Sequence, residues 1–281
     1  MKPQYDHNLL SSFCLWLDHQ ILDKGEAYTN IQNSGFYREG NVSIEGNSLT
    51  SYNASQTQWV SDSSITGATI PSGVTVNGNF ISTGTSGLRI DFLNGRIFVS
   101  GQNNTVVGSF AKKDFNIYPS NQHSTQLFLD RAFNGDNVFV PRKGSSIDSF
   151  IAPCILVSEN TSENQPFAFG GQDTTQKKYS LVSITDNYYN LVGVNSILRD
   201  SNEICFPMVS FEDIPFNNYG GLKNGIYSYK QLDQNLSSFN NKAHIRNVRV
   251  EPIAESRNNN QGSFFVSFAE FIIEDYRNPR A

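Results

Sequence analysis

Residues Tyr179–Pro207, YSLVSITDNYYNLVGVNSILRDSNEICFP, constrain this chain most, because they read as strand, turn, helix and strand in one run. Apolar side chains at Tyr179, Leu181, Val182 and Ile184 predict a short strand over Tyr179–Thr185, buried on both faces. Asp186-Asn187 then offers a side-chain oxygen to the free N–H groups of a following helix. From Tyr188, the spacing of Leu191, Val194, Ile197 and Leu198 puts them on one helical face. Arg199 falls in the last turn, where a cation suits the negative helix end. The next apolar run, Ile204–Val209, contains Pro207, which removes a backbone donor and predicts an edge or bulged strand. Such a unit must bury its faces against the rest of the chain.

A helix is predicted over Asp6–Lys24, capped by Asp6 or Asn8, with Leu9, Leu10, Phe13, Leu17, Ile21 and Leu22 on one stripe that Trp16 widens. Gly25 is expected to close it. Glu26–Trp59 has little periodicity and reads as an extended arm or long loop, with room for a hairpin. Ile65–Tyr118 is a series of short apolar runs punctuated by turn residues. Val76–Phe80 around Asn77-Gly78 and Arg89–Val99 around Asn94-Gly95 carry hairpin signals, so a small antiparallel barrel or sandwich is expected. Pro119–Phe150 reads as a connector and Ala152–Ser158 as a strand. Ser210–Tyr229 reads as a long irregular loop. Ala243–Ile253 and Ser263–Tyr276 alternate as a long antiparallel pair, joined by the polar loop Glu255–Gly262, whose tip is expected to be mobile.

The predicted class is therefore α+β: an N-terminal amphipathic helix, a small antiparallel β barrel or sandwich module, and a C-terminal mixed α/β block. The expected division is 1–60 for the helix and extended arm, 61–120 for the β module, 121–150 for the connector and 151–281 for the mixed α/β domain.

The chain carries few charges, 17% of its residues, with a formal net charge of −5. A dedicated nucleic-acid binder would show a basic excess. Lys112-Lys113, Arg142-Lys143 and Lys177-Lys178 are too short to form a patch and read as solvated loop charges. Cys14, Cys154 and Cys205 are too far apart for a CxxC pair or metal spacing and are expected as buried free thiols. The start, MKPQYDHNLL, does not read as a secretory signal, and no apolar run is long enough to span a membrane.

The histidines His7, His19, His123 and His244 form no metal-binding spacing. The chain contains no Gly-x-Ser-x-Gly elbow, phosphate loop or dinucleotide fingerprint. Gly220-Gly221-Leu-Lys-Asn-Gly225 follows a polar loop and opens no capped helix, which argues against phosphate binding. Asp91, Asp148, Glu212 and Asp213 read as solvated surface acids. No catalytic, cofactor-binding or metal residue is expected.

Three stretches together carry a resemblance. They are YDHNLLSSFCLWLDHQILDKGEAYTN at the start, then GLRIDFLNGRIFVSG with VVGSFAKKDFNIY. The third is QPFAFGGQDTTQKKYSLVSI with LVGVNSILRDS, CFPMVSFEDIPFNNYGGL and EDYRNP. The chain resembles virion structural proteins of marine tailed phages, especially cyanobacterial myophages, and within those particles a neck or head-to-tail connector protein. Its C-terminal block is similar in outline to tail terminators. The resemblance implies a non-enzymatic, cofactor-free subunit of a homohexameric ring in the virion, assembled in the host cytoplasm. It implies contact with other neck, head-adaptor, tail-tube or sheath proteins. Phage DNA would pass its channel without sequence-specific binding, and no membrane is involved. The alternative reading is a fibre or baseplate protein with a glycan-binding β module.

Overall fold

Leu9, Phe13, Trp16, Leu17, Ile21 and Leu22 recur at helical spacing and form the buried stripe of helix α1 (Tyr5–Gly25). The left-handed residue that ends the helix is Glu26, at φ 47°, not Gly25, which stays helical. The computed structural model describes residues 4–83, 87–101, 104–120, 152–166, 173–236, 242–252, 256–257 and 263–277. The fold is mixed α+β, with three helices among the described residues and two curled sheets. The chain splits into two units. One comprises Glu26–Asp114 with Asp213–Gln231, here the β unit. The other comprises Met1–Gly25, Phe115–Glu212 and Leu232–Ala281, here the helix–sheet unit.

The β unit holds β1 (Tyr28–Ile44), β2 (Asn47–Asn53), β3 (Gly73–Val76), β4 (Asn79–Ser82), β5 (Leu88–Asp91), β6 (Arg96–Val99) and β7 (Val106–Lys113). All pair antiparallel in the order β4-β3-β7-β1-β2-β6-β5. The arm or long loop expected over Glu26–Trp59 is corrected, because its residues form two sheet strands, while the hairpin it left room for is present as β1–β2. Tyr28–Phe36 pairs with β7, while Tyr37–Ile44 turns to β2 and makes a hairpin with it. Irregularities at Ile31/Ser34, where Asn33 has φ 51°, and at Arg38/Gly40 break the two-residue alternation, which is why the pattern reads as loop. The Asn77-Gly78 signal holds: both residues have positive φ between the paired Val76 and Asn79, as a two-residue hairpin turn requires.

This unit's core is built on Trp59. Its ring stacks on Phe110 at 4.2 Å and meets Phe36 edge-on at 5.8 Å, and its indole N–H donates to the Gln56 carbonyl. Tyr52, Val74, Ile90, Ile97 and Val106 pack around it. The buried Asp62 carboxylate fastens the 213–231 segment. It accepts from the Ser64 backbone and hydroxyl and from the Tyr229 backbone N–H at 3.0 Å.

In the helix–sheet unit, β8 (Asn116–Ser120), β9 (Cys154–Pro166), β10 (Asp173–Thr185), helix α2 (Tyr188–Arg199) and β11 (Cys205–Pro207) come first. The short α3 (Tyr229–Asn235), whose first three residues are counted with the β unit, precedes β12 (Lys242–Pro252), β13 (Ser256–Arg257) and β14 (Ser263–Arg277). The order is β11-β12-β14-β10-β9-β8, with β13 pairing β14. Among the described residues of this sheet only β8 runs parallel to its neighbour, which makes the sheet mixed. Asn116–Ser120, expected inside the 61–120 module, thus belongs to the second sheet. The 121–150 connector and most of the tip of the 255–262 loop lie outside the described residues.

β10 is the central strand, bonded along its length to β9 and β14. Asn187 caps α2 by accepting from the Tyr189 backbone N–H, as its position predicts, and Leu191, Val194 and Leu198 are buried. The Pro207 strand sits at the sheet edge. On one sheet face Tyr179 and Phe271 are register partners, and Phe13 of α1 stacks on Tyr179 at 5.1 Å and meets Phe271 edge-on at 5.2 Å. Phe206 joins the same cluster, so the N-terminal helix is seated on the sheet of the C-terminal block. The Ser12 hydroxyl completes the seat by accepting from the Val209 N–H at 2.8 Å.

Candidate functional site

Two places gather polar side chains beyond what the fold needs. The first is a clasp at the N-terminal end of α1. Lys177 of β10 is 1% exposed, yet its ammonium lies 2.8 Å from the Asp6 carboxylate of α1 and also contacts Glu159 of β9. Lys177 is therefore not the solvated loop charge its sequence context suggests: two carboxylates offset its burial. Beyond it, Arg277 donates to the Thr175 hydroxyl at 2.6 Å and to Asn164 at 3.2 Å, and its guanidinium lies 4.1 Å above the Tyr5 ring. Burial, then the Asp275 carboxylate, raises the Tyr5 hydroxyl pKa. Burial also raises Asp275, more than Tyr5, the Tyr276 backbone and Arg277 lower it. Burial and Glu159 raise Tyr179 in the same way. These groups fix α1 on the sheet.

The second is a groove in the β unit. Two adjoining cavities of about 550 and 460 Å³ share Ile44, Phe98 and Tyr219. Asn217 positions the tyrosine: its side-chain oxygen accepts from the backbone N–H groups of Tyr219 (2.9 Å) and Gly221 (3.0 Å). Gly220 has φ +74°, and a Cβ there would lie 2.2 Å from an Asp91 oxygen, so only glycine fits. The Gly220 carbonyl accepts from Phe92 N–H at 3.1 Å, which ties the loop to the end of β5. Four charges of the groove form two pairs, Arg96 with Glu39 at 2.9 Å and Arg89 with Glu45 at 3.5 Å, and Asp91 and Lys223 line it as well. Glu39 also accepts from Ser51 and Asn53.

The remaining candidates are scattered. Asp91 is buried rather than a solvated surface acid; it accepts from the Leu93 and Asn94 backbone and the Asn94 amide, while burial raises its pKa. His7 is exposed, His19 buried and His244 half-buried. His123, Asp148 and Arg142-Lys143 lie outside the described residues. Lys112 and Lys113 lie half-buried in β7 rather than in a loop. Cys154 is buried, but Cys205 is exposed and Cys14 half-buried, which corrects the expectation of three buried thiols; burial pushes the Cys14 thiol up to about 12. Among the described residues no group of three or more His, Cys, Asp or Glu could hold a metal, and no helix is long and apolar enough to cross a membrane.

The sequence predicts a long irregular loop around Gly220-Gly221, and no periodicity marks Asn217 as its organiser. The clue available in sequence is Asn followed by an aromatic and two glycines. Neither protein-family models nor curated proteins match this chain.

Proposed function

We propose that this chain is a non-enzymatic structural protein of a tailed-phage neck, a subunit of a six-fold ring that joins head to tail or caps the tail tube. The observation that carries this reading is the outer face of α2. Tyr188, Tyr189 and Val192 are exposed there, Tyr189 at 82%, and the Tyr188 ring lies 5.6 Å from Phe265 of β14. Tyrosines on a helix whose other side is packed suit a subunit contact. The clasp of α1 supports the reading from the other side: a ring subunit needs a rigid body to carry head-to-tail faces. A net charge of −5 favours a channel that DNA passes without sticking. Partners in this role are neck, head-adaptor, tail-tube or sheath proteins of the virion, met during assembly in the host cytoplasm.

Sedimentation of the wild type against Tyr189→Glu tests the assignment of the face. The ring reading expects a large species that the charged variant dissociates while its circular dichroism stays unchanged. An assembly that the variant leaves intact would move the contact elsewhere.

A further inference from the structure

We propose that the Tyr219 groove of the β unit binds a neutral saccharide. This goes beyond the neck reading and does not depend on it, since binding is read on the purified full chain in whatever assembly it forms.

Three observations converge. The first is the effort spent on one half-exposed ring. Tyr219 is 44% exposed, yet its loop is fixed by two bonds to Asn217, by a glycine that no other residue replaces, and by the Gly220–Phe92 backbone bond. A tyrosine needed only for solubility would not need such a mount. An amphipathic ring held rigid loses little entropy when a ligand stacks on it. The second is shape. Tyr219 lines two adjoining cavities, each of the size used for small ligands.

The third is charge. Glu39 is held by Arg96, Ser51 and Asn53, Arg89 faces Glu45, and the other two charges of the lining, Asp91 and Lys223, are of opposite sign, so the groove carries no net charge. Neither an anion nor a cation is favoured by such a lining. A polyhydroxylated ligand suits it, because each hydroxyl both donates and accepts. Exposed Asn218 on the wall offers an amide of the same dual character, and Asn94, whose amide also donates to Asp91, offers its side-chain oxygen. The apolar C–H face of a pyranose would lie on Tyr219, and its hydroxyls would meet the amides and the outer edge of the Glu39–Arg96 pair.

The test is saturation-transfer NMR and titration calorimetry with neutral tetrasaccharides of glucose, mannose and N-acetylglucosamine, beside a sialylated and a sulfated glycan. Binding of at least one neutral sugar is expected. Tyr219→Ala should weaken it by about tenfold or more, and Tyr219→Phe by less, with Trp59 fluorescence unchanged in both. The proposal is overturned by absence of binding at millimolar sugar, by binding confined to the anionic glycans, or by affinity that Tyr219→Ala leaves untouched.

Discussion

The ammonium of Lys177, almost wholly inside the protein, lies 2.8 Å from the carboxylate of Asp6 at the start of the chain. That pair, with Glu159 as second partner, ties the first helical turn to the central strand. The partners are unequal, since Asp6 and Glu159 are 54% and 41% exposed. Removing the lysine leaves acids that water can serve. Removing both acids leaves a buried cation alone. The double variant Asp6→Ala/Glu159→Ala should therefore cost about 3–5 kcal/mol, and clearly more than Lys177→Met. Urea denaturation of both variants measures the difference; equal losses would mean the charges do not govern the clasp.

Phe13 joins α1 to Tyr179, Phe206 and Phe271 at once. Phe13→Ala should cost about 3–5 kcal/mol through a cavity at that junction. The two tryptophans report separately, Trp16 in the helix–sheet unit and Trp59 in the β unit. In a Trp59→Phe background the loss should appear in the fluorescence transition of Trp16, which touches Phe13 at 5.5 Å.

Much of this seating was legible in the sequence, but not all. The α1 stripe, the Asn187 cap and the Asn77-Gly78 turn depend on spacings within a few residues, and local chemistry decides them. β1 was hidden because its bulges at Asn33 and Arg38 interrupt alternation and because it changes partner halfway. β8 was misplaced because its parallel partner Cys154–Ser158 is distant in the chain. Lys177 looked solvated because its two acids come from 171 residues away and from the neighbouring strand. Tyr219 was invisible as a site because its mount is a web of Asn217, Gly220 and Asp91.

The Asp275 carboxyl gives a pH test. Burial raises its pKa in the folded chain above the unfolded value. A raised carboxyl binds its proton more tightly when folded, so its contribution to stability is full at acid pH and is lost as pH rises through the folded value. Asp275→Asn removes that dependence. Between pH 3.5 and neutrality, the denaturation midpoint of Asp275→Asn relative to wild type should rise with pH. A difference that stays constant, or falls, would show that Arg277 and the Tyr5 hydroxyl outweigh burial.

The central claim is that this chain works as a ring. Electron-microscopic class averages of the purified full-length protein, with mass photometry on the same sample, test it most directly. The account predicts closed rings of six-fold symmetry. Monomers alone, persisting at high concentration, would contradict it.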